Sequence, residues 1–388
     1  MKVVLVGPTY PYRGGIAHYT TLLYRQLCAC GHQTTLYSFK RQYPRWLFPG
    51  RSDRDPSQLV LDADCQYVLD SLNPFTWWMA ARAIRAQSPD VLVLPWWVTF
   101  FAPMWAVLAQ SARRAGIKIV FVCHNVLPHE QHFWDVGLAR WTLGLGDGFI
   151  TQSQEEKSRL SELLPGRRVK VVPHPIYDMF ADRIMPRDEA RRRLELPQAA
   201  PVLLFFGFVR EYKGLHDLLE AIPSVRAELA NILLLIVGEF WHDKQSYLDQ
   251  ITHLGIDGNV MIVDRYIPNE QVPLYFSAAD IVVLPYTHAT QSGVVQLAFG
   301  LGLPVITTQV GGLSDVVMDK ETGLLVPPGD SLSLSRAVCH FFLGDLRPRL
   351  VAGVLALQTR QSWERLVTAI EMLVHCNEDC ACLDTEFG

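Results

Sequence analysis

Arg210 and Lys213 stand three positions apart directly behind an apolar run, in Phe205-Phe206-Gly207-Phe208-Val209-Arg210-Glu211-Tyr212-Lys213-Gly214. A glycine leaving a strand, followed by a guanidinium and an ammonium, is an arrangement for anions, and a pyrophosphate is the anion it fits. The rest of that half of the chain is acidic, so two cations kept together there read as a site and not as a solvated face. A second anion seat is expected in Pro285-Tyr286-Thr287-His288-Ala289-Thr290-Gln291-Ser292-Gly293-Val294. There Ser292 can cap a helix whose first N–H groups, around Gly293 and Val294, would meet the ligand with no side chain in the way.

Two further loops carry candidates in the front half. Gly7 to Ile16 ends in Gly14-Gly15-Ile16 before a helix expected near Ala17, and adjacent glycines let a backbone approach an anion at a helix start. The loop is not GxGxxG, and no acid closes the second strand to hold a ribose, which argues against a nicotinamide cofactor. Cys123-His124-Asn125 ends a buried run and puts His124 at a strand end, where an imidazole can donate to a ligand. His129 and Glu130 follow, but their spacing matches no zinc motif, so no metal is expected.

The elements that must position these residues are legible as two series of short Val, Ile and Leu runs separated by helix-length segments. The front series is Val3 to Val6, Thr34 to Phe39, Val91 to Leu94, Ile117 to Cys123, Gly148 to Thr151 and Val169 to Val172. The back series is Val202 to Phe206, Ile232 to Val237, Val260 to Val263, Ile281 to Leu284, Val305 to Thr307 and Gly323 to Val326. Runs of this kind are strands of parallel sheets covered on both faces. The expected fold is therefore α/β, two Rossmann-like doubly wound domains facing a central cleft, with ligands at the carboxyl ends of the strands. The expected boundaries are a domain over 1–180, a linker with a short helix over 181–200, a second domain over 201–365, and a helix and tail over 366–388.

Composition excludes several classes. The 388 residues are 49% hydrophobic and 19% charged, too apolar for a disordered chain. A net charge of −4 argues against nucleic acid as a partner. Residues 1–195 hold 24 Lys and Arg against 17 Asp and Glu, and 196–388 hold 11 against 22, giving +7 and −11. A basic front half suits a phosphorylated or membrane-surface partner. Eight dispersed cysteines, three of them at Cys376, Cys380 and Cys382, read as reduced thiols, mostly core fillers, in a cytoplasmic protein. The first apolar stretch is too short for a signal core, so no signal peptide is expected. The uncharged stretch Val91 to Ala112 is divided by Pro95 and Pro103 into strand, aromatic loop and a helix starting at Pro103.

Taken in order, Gly14-Gly15, His124, FFGFVREYKG, the strand end Ile236-Val237-Gly238-Glu239, and SGVVQLAFGLGLPVITTQVGGLSDVV resemble the family 4 retaining glycosyltransferases of GT-B fold. The resemblance implies a nucleotide-diphosphate sugar as donor, held mainly by the second domain, and a glycan or lipid-linked acceptor on the first. It implies that Arg210 and Lys213 hold the diphosphate, that Gly14 and Gly15 approach it, and that Ser292, Gly293 and Val294 seat phosphate or sugar. His124 would lie beside the donor sugar, Gly238 and Glu239 at the donor, and the nucleobase against the backbone near Arg265, Tyr266 and Ile267. Neither a cofactor nor a metal is implied. Two departures stand out. Phe208 occupies the place of the family arginine after the glycine, and Ala289 and Leu297 fall where the family has paired glutamates, as in a bacterial group with Ser-Gly-Val in this loop. The rival readings are a non-hydrolysing nucleotide-sugar epimerase, a two-lobed solute-binding protein, and a degenerate transferase that serves as a scaffold. Trp46, Trp77, Trp78, Trp96, Trp97, Trp105, Trp134 and Trp141, with Arg113, Arg114 and Lys118, suit an acceptor at the cytoplasmic face of a membrane, with the protein peripheral to it.

Overall fold

The structure is a computed structural model that describes residues 1–44, 52–61, 63–128, 132–241, 243–358 and 361–375. His129, Glu130, Trp46 and the three C-terminal cysteines lie outside the described residues. The chain divides into two compact units. The first takes residues 1–44, 61–172 and 363–375, and the second takes 52–60 and 173–362.

The first unit is built on seven parallel strands: β1 (Lys2–Val6), β2 (Gln33–Arg41), β3 (Cys65–Asp70), β4 (Val91–Trp96), β5 (Lys118–Cys123), β6 (Gly148–Thr151) and β7 (Val169–Val171), in the order β3-β2-β1-β4-β5-β6-β7. Six of these coincide with the apolar runs. The seventh, β3, is an edge strand whose residues are mostly part-exposed and whose register against β2 is irregular, so no buried run announces it. Its helices are α1 (Gly15–Ala29), α2 (Pro74–Gln87), α3 (Ala102–Arg114), α4 (Asp135–Leu143) and α5 (Gln154–Leu163).

The second unit repeats the plan with six parallel strands: β8 (Val202–Phe206), β9 (Leu233–Val237), β10 (Val260–Val263), β11 (Ile281–Leu284), β12 (Val305–Thr308) and β13 (Gly323–Val326), in the order β10-β9-β8-β11-β12-β13. All six match the expected runs. Its helices are α6 (Arg187–Arg193), α7 (Leu215–Glu228), α8 (Lys244–His253), α9 (Val272–Ala278), α10 (Gly293–Gly300), α11 (Leu313–Val316), α12 (Ser331–Leu343) and α13 (Arg347–Gln358). The last helix, α14 (Trp363–His375), returns to the first unit and packs on α1 and β6.

The central strands are sealed on both faces, which is why they read as unbroken apolar runs. Val3 to Val6, Val91 to Leu94, Val202 to Phe205 and Ile281 to Leu284 are all buried. Each such side chain contributes roughly 1.5–3 kcal/mol on leaving water, which fixes the pleats of the sheet and therefore the places where its strands end. In both sheets the order reverses beside the first strand, and loops at such a switch point diverge to leave room for a ligand.

Long-range polar contacts close each unit. Asp280, ahead of β11, accepts from Arg187 at 2.6 Å, from the buried Arg191 at 2.8 Å and from the Val202 amide at 2.8 Å, so helix α6 is tied to the second sheet. Residues 52–60 join that unit through Asp55 and Ser57, which bond Asn269, and through the Gln58 and Leu59 amides, which donate to Glu270. Among the described residues no helix is long and apolar enough to cross a membrane. Cysteine behaves less uniformly than expected. Cys123 is buried, but Cys28 and Cys30 are exposed, because α1 turns its C-terminal end to solvent.

Candidate functional site

The expected site residues fall into two groups, one in each unit. In the second, β8 ends at Phe206, and the Gly207 amide donates to Val237 at 2.9 Å, so the chain leaves the strand alongside β9. The two strand ends approach so closely that a Cβ on Gly238 would lie 1.9 Å from the Gly207 carbonyl oxygen, a contact only glycine permits. Pairing then continues past both strands. Val209 and Phe240 form an isolated bridge, and the Val209 amide donates to the carbonyl of the buried Glu239 at 3.0 Å.

That extension aims Arg210. Its guanidinium lies 3.8 Å from the centre of the Trp241 ring, a cation–π contact, and it hydrogen-bonds the Tyr212 phenol. Phe208 packs on the same indole at 4.6 Å, with Tyr266 at 6.2 Å from Phe208. Ile267 is buried next to Tyr266, while the Arg265 guanidinium is occupied by Gln271 at 2.7 Å.

Lys213 ends a short turn over Glu211–Lys213 and is only 7% exposed. Its Nζ stands 3.0 Å from the point where a Gly207 Cβ would be and 5.4 Å from the Tyr286 ring centre. Burial, and secondarily the positive charge of Arg210, bring its pKa down from 10.5 to about 7. Among the described residues no carboxylate acts on it. A buried ammonium beside a second cation is a poor arrangement for an isolated protein and a good one for a protein awaiting a dianion.

The loop after β11 closes over the loop after β8. The Thr287 amide donates to Tyr212 at 2.8 Å, and Ser292 caps α10 by accepting from the Val295 amide, with the Tyr286 hydroxyl 3.3 Å from its Oγ. Val294 reaches within 3.5 Å of the same missing Gly207 Cβ that Lys213 approaches. Gly207, Lys213 and the start of α10 therefore meet at one point. Gly293 faces Tyr177, whose amide donates to Gln296, so the segment after Pro173 is part of this wall. Burial holds His174, in that segment, neutral with a pKa of about 4. Ala289 and Leu297 are both buried, as hydrophobic residues in these places would be. Next to Leu297, Gln296 is buried, and among the described residues its Oε1 has no hydrogen-bond partner.

In the first unit, Gly14 has φ of +111° and precedes α1, and a Cβ on Gly14 or Gly15 would meet no atom within 4 Å. Backbone there is open to close approach. His124 lies just past β5, as expected, and is 6% exposed. Gln152 Nε2 stands 3.2 Å from His124 Nδ1, so with the amide donating, the ring proton sits on Nε2. Tyr19 of α1 packs edge-on against the imidazole at 4.5 Å and joins His124 to the helix that Gly14 and Gly15 begin. Burial keeps the Tyr19 phenol protonated.

Four residues here escape reading from the sequence alone: Trp241, Tyr286, Gln152 and Tyr19. Trp241, Tyr286 and Gln152 lie just past strand ends and Tyr19 lies on α1, and each touches a named candidate distant from it in sequence. The one available signal is that Trp241 follows the strand-end Gly238-Glu239 within a few residues.

Two family models match. Residues 13–178 match glycosyltransferase family 4, and residues 200–343 match glycosyl transferases group 1. The D-inositol 3-phosphate glycosyltransferase of Stackebrandtia nassauensis is 31% identical over 313 residues, covering 75% of this chain and 69% of its own. That of Nocardioides is 33% identical over 211 residues, covering 51% of this chain and 46% of its own. The chain spans about half the length of most of the curated relatives it matches. Among solved structures, Anabaena HepE in complex with UDP has the same fold, with a TM-score of 0.73, 17% identity and coverage of 96% of this chain and 98% of HepE. Two parallel sheets with interleaved helices in this likeness are the GT-B fold.

Proposed function

Because this chain belongs to the family 4 glycosyltransferases, we propose that it moves a sugar from a nucleotide-diphosphate sugar to a glycan or lipid-linked acceptor, retaining the anomeric configuration and requiring no metal. One observation carries the reading: Lys213 is buried beside Gly207 and the start of α10, where the charge that acts on it is the positive one of Arg210 and, among the described residues, no carboxylate does. A diphosphate supplies the negative charge that this ammonium lacks. HepE, which shares the fold, was solved with UDP bound, and that supports a nucleotide donor by analogy.

The reaction breaks the bond between the anomeric carbon and the phosphate oxygen, leaving negative charge on the diphosphate and positive charge on the sugar. Lys213, Arg210 and the amides at Gly293 and Val294 are the groups that stabilise the leaving charge, and they need little reorganisation because packing already holds them. The acceptor oxygen forms its bond to carbon on the face the phosphate leaves, and the acceptor proton passes to the departing phosphate oxygen. No protein nucleophile is needed. In the first unit, His124 is assigned to orienting the transferred sugar, its Nε2–H set by Gln152. We place the acceptor at a membrane surface, with the protein peripheral to it in the cytoplasm.

The test is a thermal-shift screen of UDP, GDP, ADP and CDP sugars. At least one should stabilise the wild-type protein, and Lys213→Ala should abolish that shift with the fold intact. If no nucleotide sugar raises the midpoint, the reading fails. Proton NMR of the product settles the anomeric outcome, and inversion would overturn retention. The buried Ala289 and Leu297 in the family's glutamate positions favour one rival, a scaffold that binds donor without turning it over. Donor-dependent stabilisation without transfer to any acceptor would establish that rival.

A further inference from the structure

We propose that the outer face of α2, α3 and α4 holds a seat for one anionic phospholipid of a bilayer leaflet, its apolar part between Trp78 and Trp141 and its phosphate on Arg85 and Arg114. The three helices lie side by side, with α3 in the middle. Their inner faces are consumed by the core through Ala80 and Ile84, Trp105 and Leu108, and Ala139 and Leu143. The outer faces are not covered. A cavity of about 320 Å³ runs along them, floored by short residues of α3 such as Ala106 and Val107 and lined by Trp78, Trp141, Arg85 and Arg114.

Aromatic side chains of this size are seldom left in water. Trp78 is 52% exposed and Trp141 55%, and Phe75, stacked 6.1 Å from Trp78, is 63% exposed. Of the eight front-half tryptophans, Trp96 and Trp105 are core, whereas Trp78, Trp134 and Trp141 look outward. The charge is equally one-sided. Helices α2 and α3 contain no Asp or Glu, and the one acid of α4, Asp135, is buried against Thr99. Arg82, Arg85, Arg113, Arg114 and Arg140 are all exposed. Arg82 sits 6.0 Å over the Trp78 ring, keeping a cation level with the aromatic surface.

Amphipathic rings and uncompensated arginines on one helical face match the headgroup layer of an anionic leaflet, where rings rest at the interface and guanidiniums meet phosphate. A soluble glycan would need acids and amides to meet its hydroxyls, and this face offers few. The seat deepens the membrane placement proposed above and rests on it. The binding assay, however, contains neither donor nor acceptor, so loss of transfer and loss of binding are seen separately.

The experiment is co-sedimentation of the full chain with vesicles of phosphatidylcholine alone and of phosphatidylcholine mixed with phosphatidylglycerol. Wild-type protein should sediment with the mixed vesicles only. Arg85→Gln with Arg114→Gln should weaken partitioning about thirtyfold, from roughly fivefold per cation at an anionic surface. Val107→Trp fills the groove while leaving every charge, and should weaken it at least about fivefold if a lipid group enters there. Arg192→Gln with Arg193→Gln, exposed arginines of α6 in the other unit, is the control and should leave binding within about twofold. An unchanged thermal midpoint marks each variant as folded. The proposal is overturned by equal binding to both vesicle types, by no vesicle binding at all, by wild-type binding of the groove-filled variant, or by a control loss as large as that of the Arg85 and Arg114 pair.

Discussion

Replacing Lys213 with methionine separates the two effects of its ammonium. Methionine keeps the length of the side chain and removes the charge. In the folded protein Lys213 has a pKa of about 7 against an ordinary 10.5, so between those values the unfolded chain holds a proton that the folded chain has lost. Stability should therefore rise with pH across that window, and below pH 7 the full cost of a buried, uncompensated ammonium is present. Lys213→Met should raise the thermal midpoint at pH 6, by an amount on the order of a few kcal/mol of stability, and should flatten the rise between pH 7 and 9. Donor binding should behave in the opposite sense. A diphosphate binds the ammonium form, which is about half of the free wild-type protein at pH 7 and about a tenth at pH 8, so affinity should fall about fivefold over that interval. Binding above pH 7 should draw a proton from the buffer. Calorimetry in two buffers of different ionisation enthalpy reads that uptake directly, and the methionine variant should show neither uptake nor donor affinity. The reasoning is refuted if the variant is less stable than wild type at pH 6 and still takes donor, or if wild-type affinity is flat from pH 6.5 to 8.5.

Trp241→Ala should raise the donor KM about tenfold with a smaller change in kcat, because it removes the surface that holds the Arg210 guanidinium, and Trp241→Phe should recover part of the loss; steady-state kinetics with varied donor checks this. Asp280→Ala leaves the buried Arg191 without its carboxylate and should destabilise the second unit by about 3–5 kcal/mol in urea unfolding, with no comparable loss in the first. Gly238→Ala would drive a Cβ to 1.9 Å from the Gly207 carbonyl, so it should part the ends of β8 and β9 and abolish the nucleotide-induced thermal shift.

What the sequence discloses follows from what burial does to it. Strands sealed on both faces must be continuous apolar runs, so the central strands stand out. The edge strands β7 and β10, part-exposed but still rich in Val and Ile, bring the legible strands to twelve of thirteen, and the cations and glycines behind them stand out by contrast. The edge strand β3, with Tyr67 exposed, lacks that constraint and gives no run. Contacts between distant segments are harder to read. Nothing local in Asp55-Pro56-Ser57 says that it bonds Asn269, and nothing in α14 says that Trp363 will pack edge-on against Tyr19 at 5.0 Å. The exposed tryptophans show the same limit. Trp77 and Trp78 are adjacent in sequence, but one turns inward to donate to the Asp70 carbonyl and the other faces solvent, a choice made by the helix phase relative to the sheet.

The arginine that the resemblance expects directly after Gly207 shows how backbone geometry could absorb a departure in sequence. Phe208 stands at that expected place, and Arg210 lies two residues on. In an extended chain, side chains two apart point to the same side, and the step between them is about 6–7 Å. The chain here remains extended, because the Val209 and Phe240 bridge carries the pairing of β8 and β9 beyond their ends. Phe208 and Arg210 accordingly meet the same indole, at 4.6 and 3.8 Å. A long guanidinium can span much of that step, and Trp241 holds it on the side that faces Tyr212 and the turn bearing Lys213. Moving the cation by one residue instead of two would have turned it to the opposite face, where it could not share a site with Lys213. The two-residue shift is tolerable because its parity matches the strand, and the indole is what makes the displaced arginine a fixed charge instead of a mobile one.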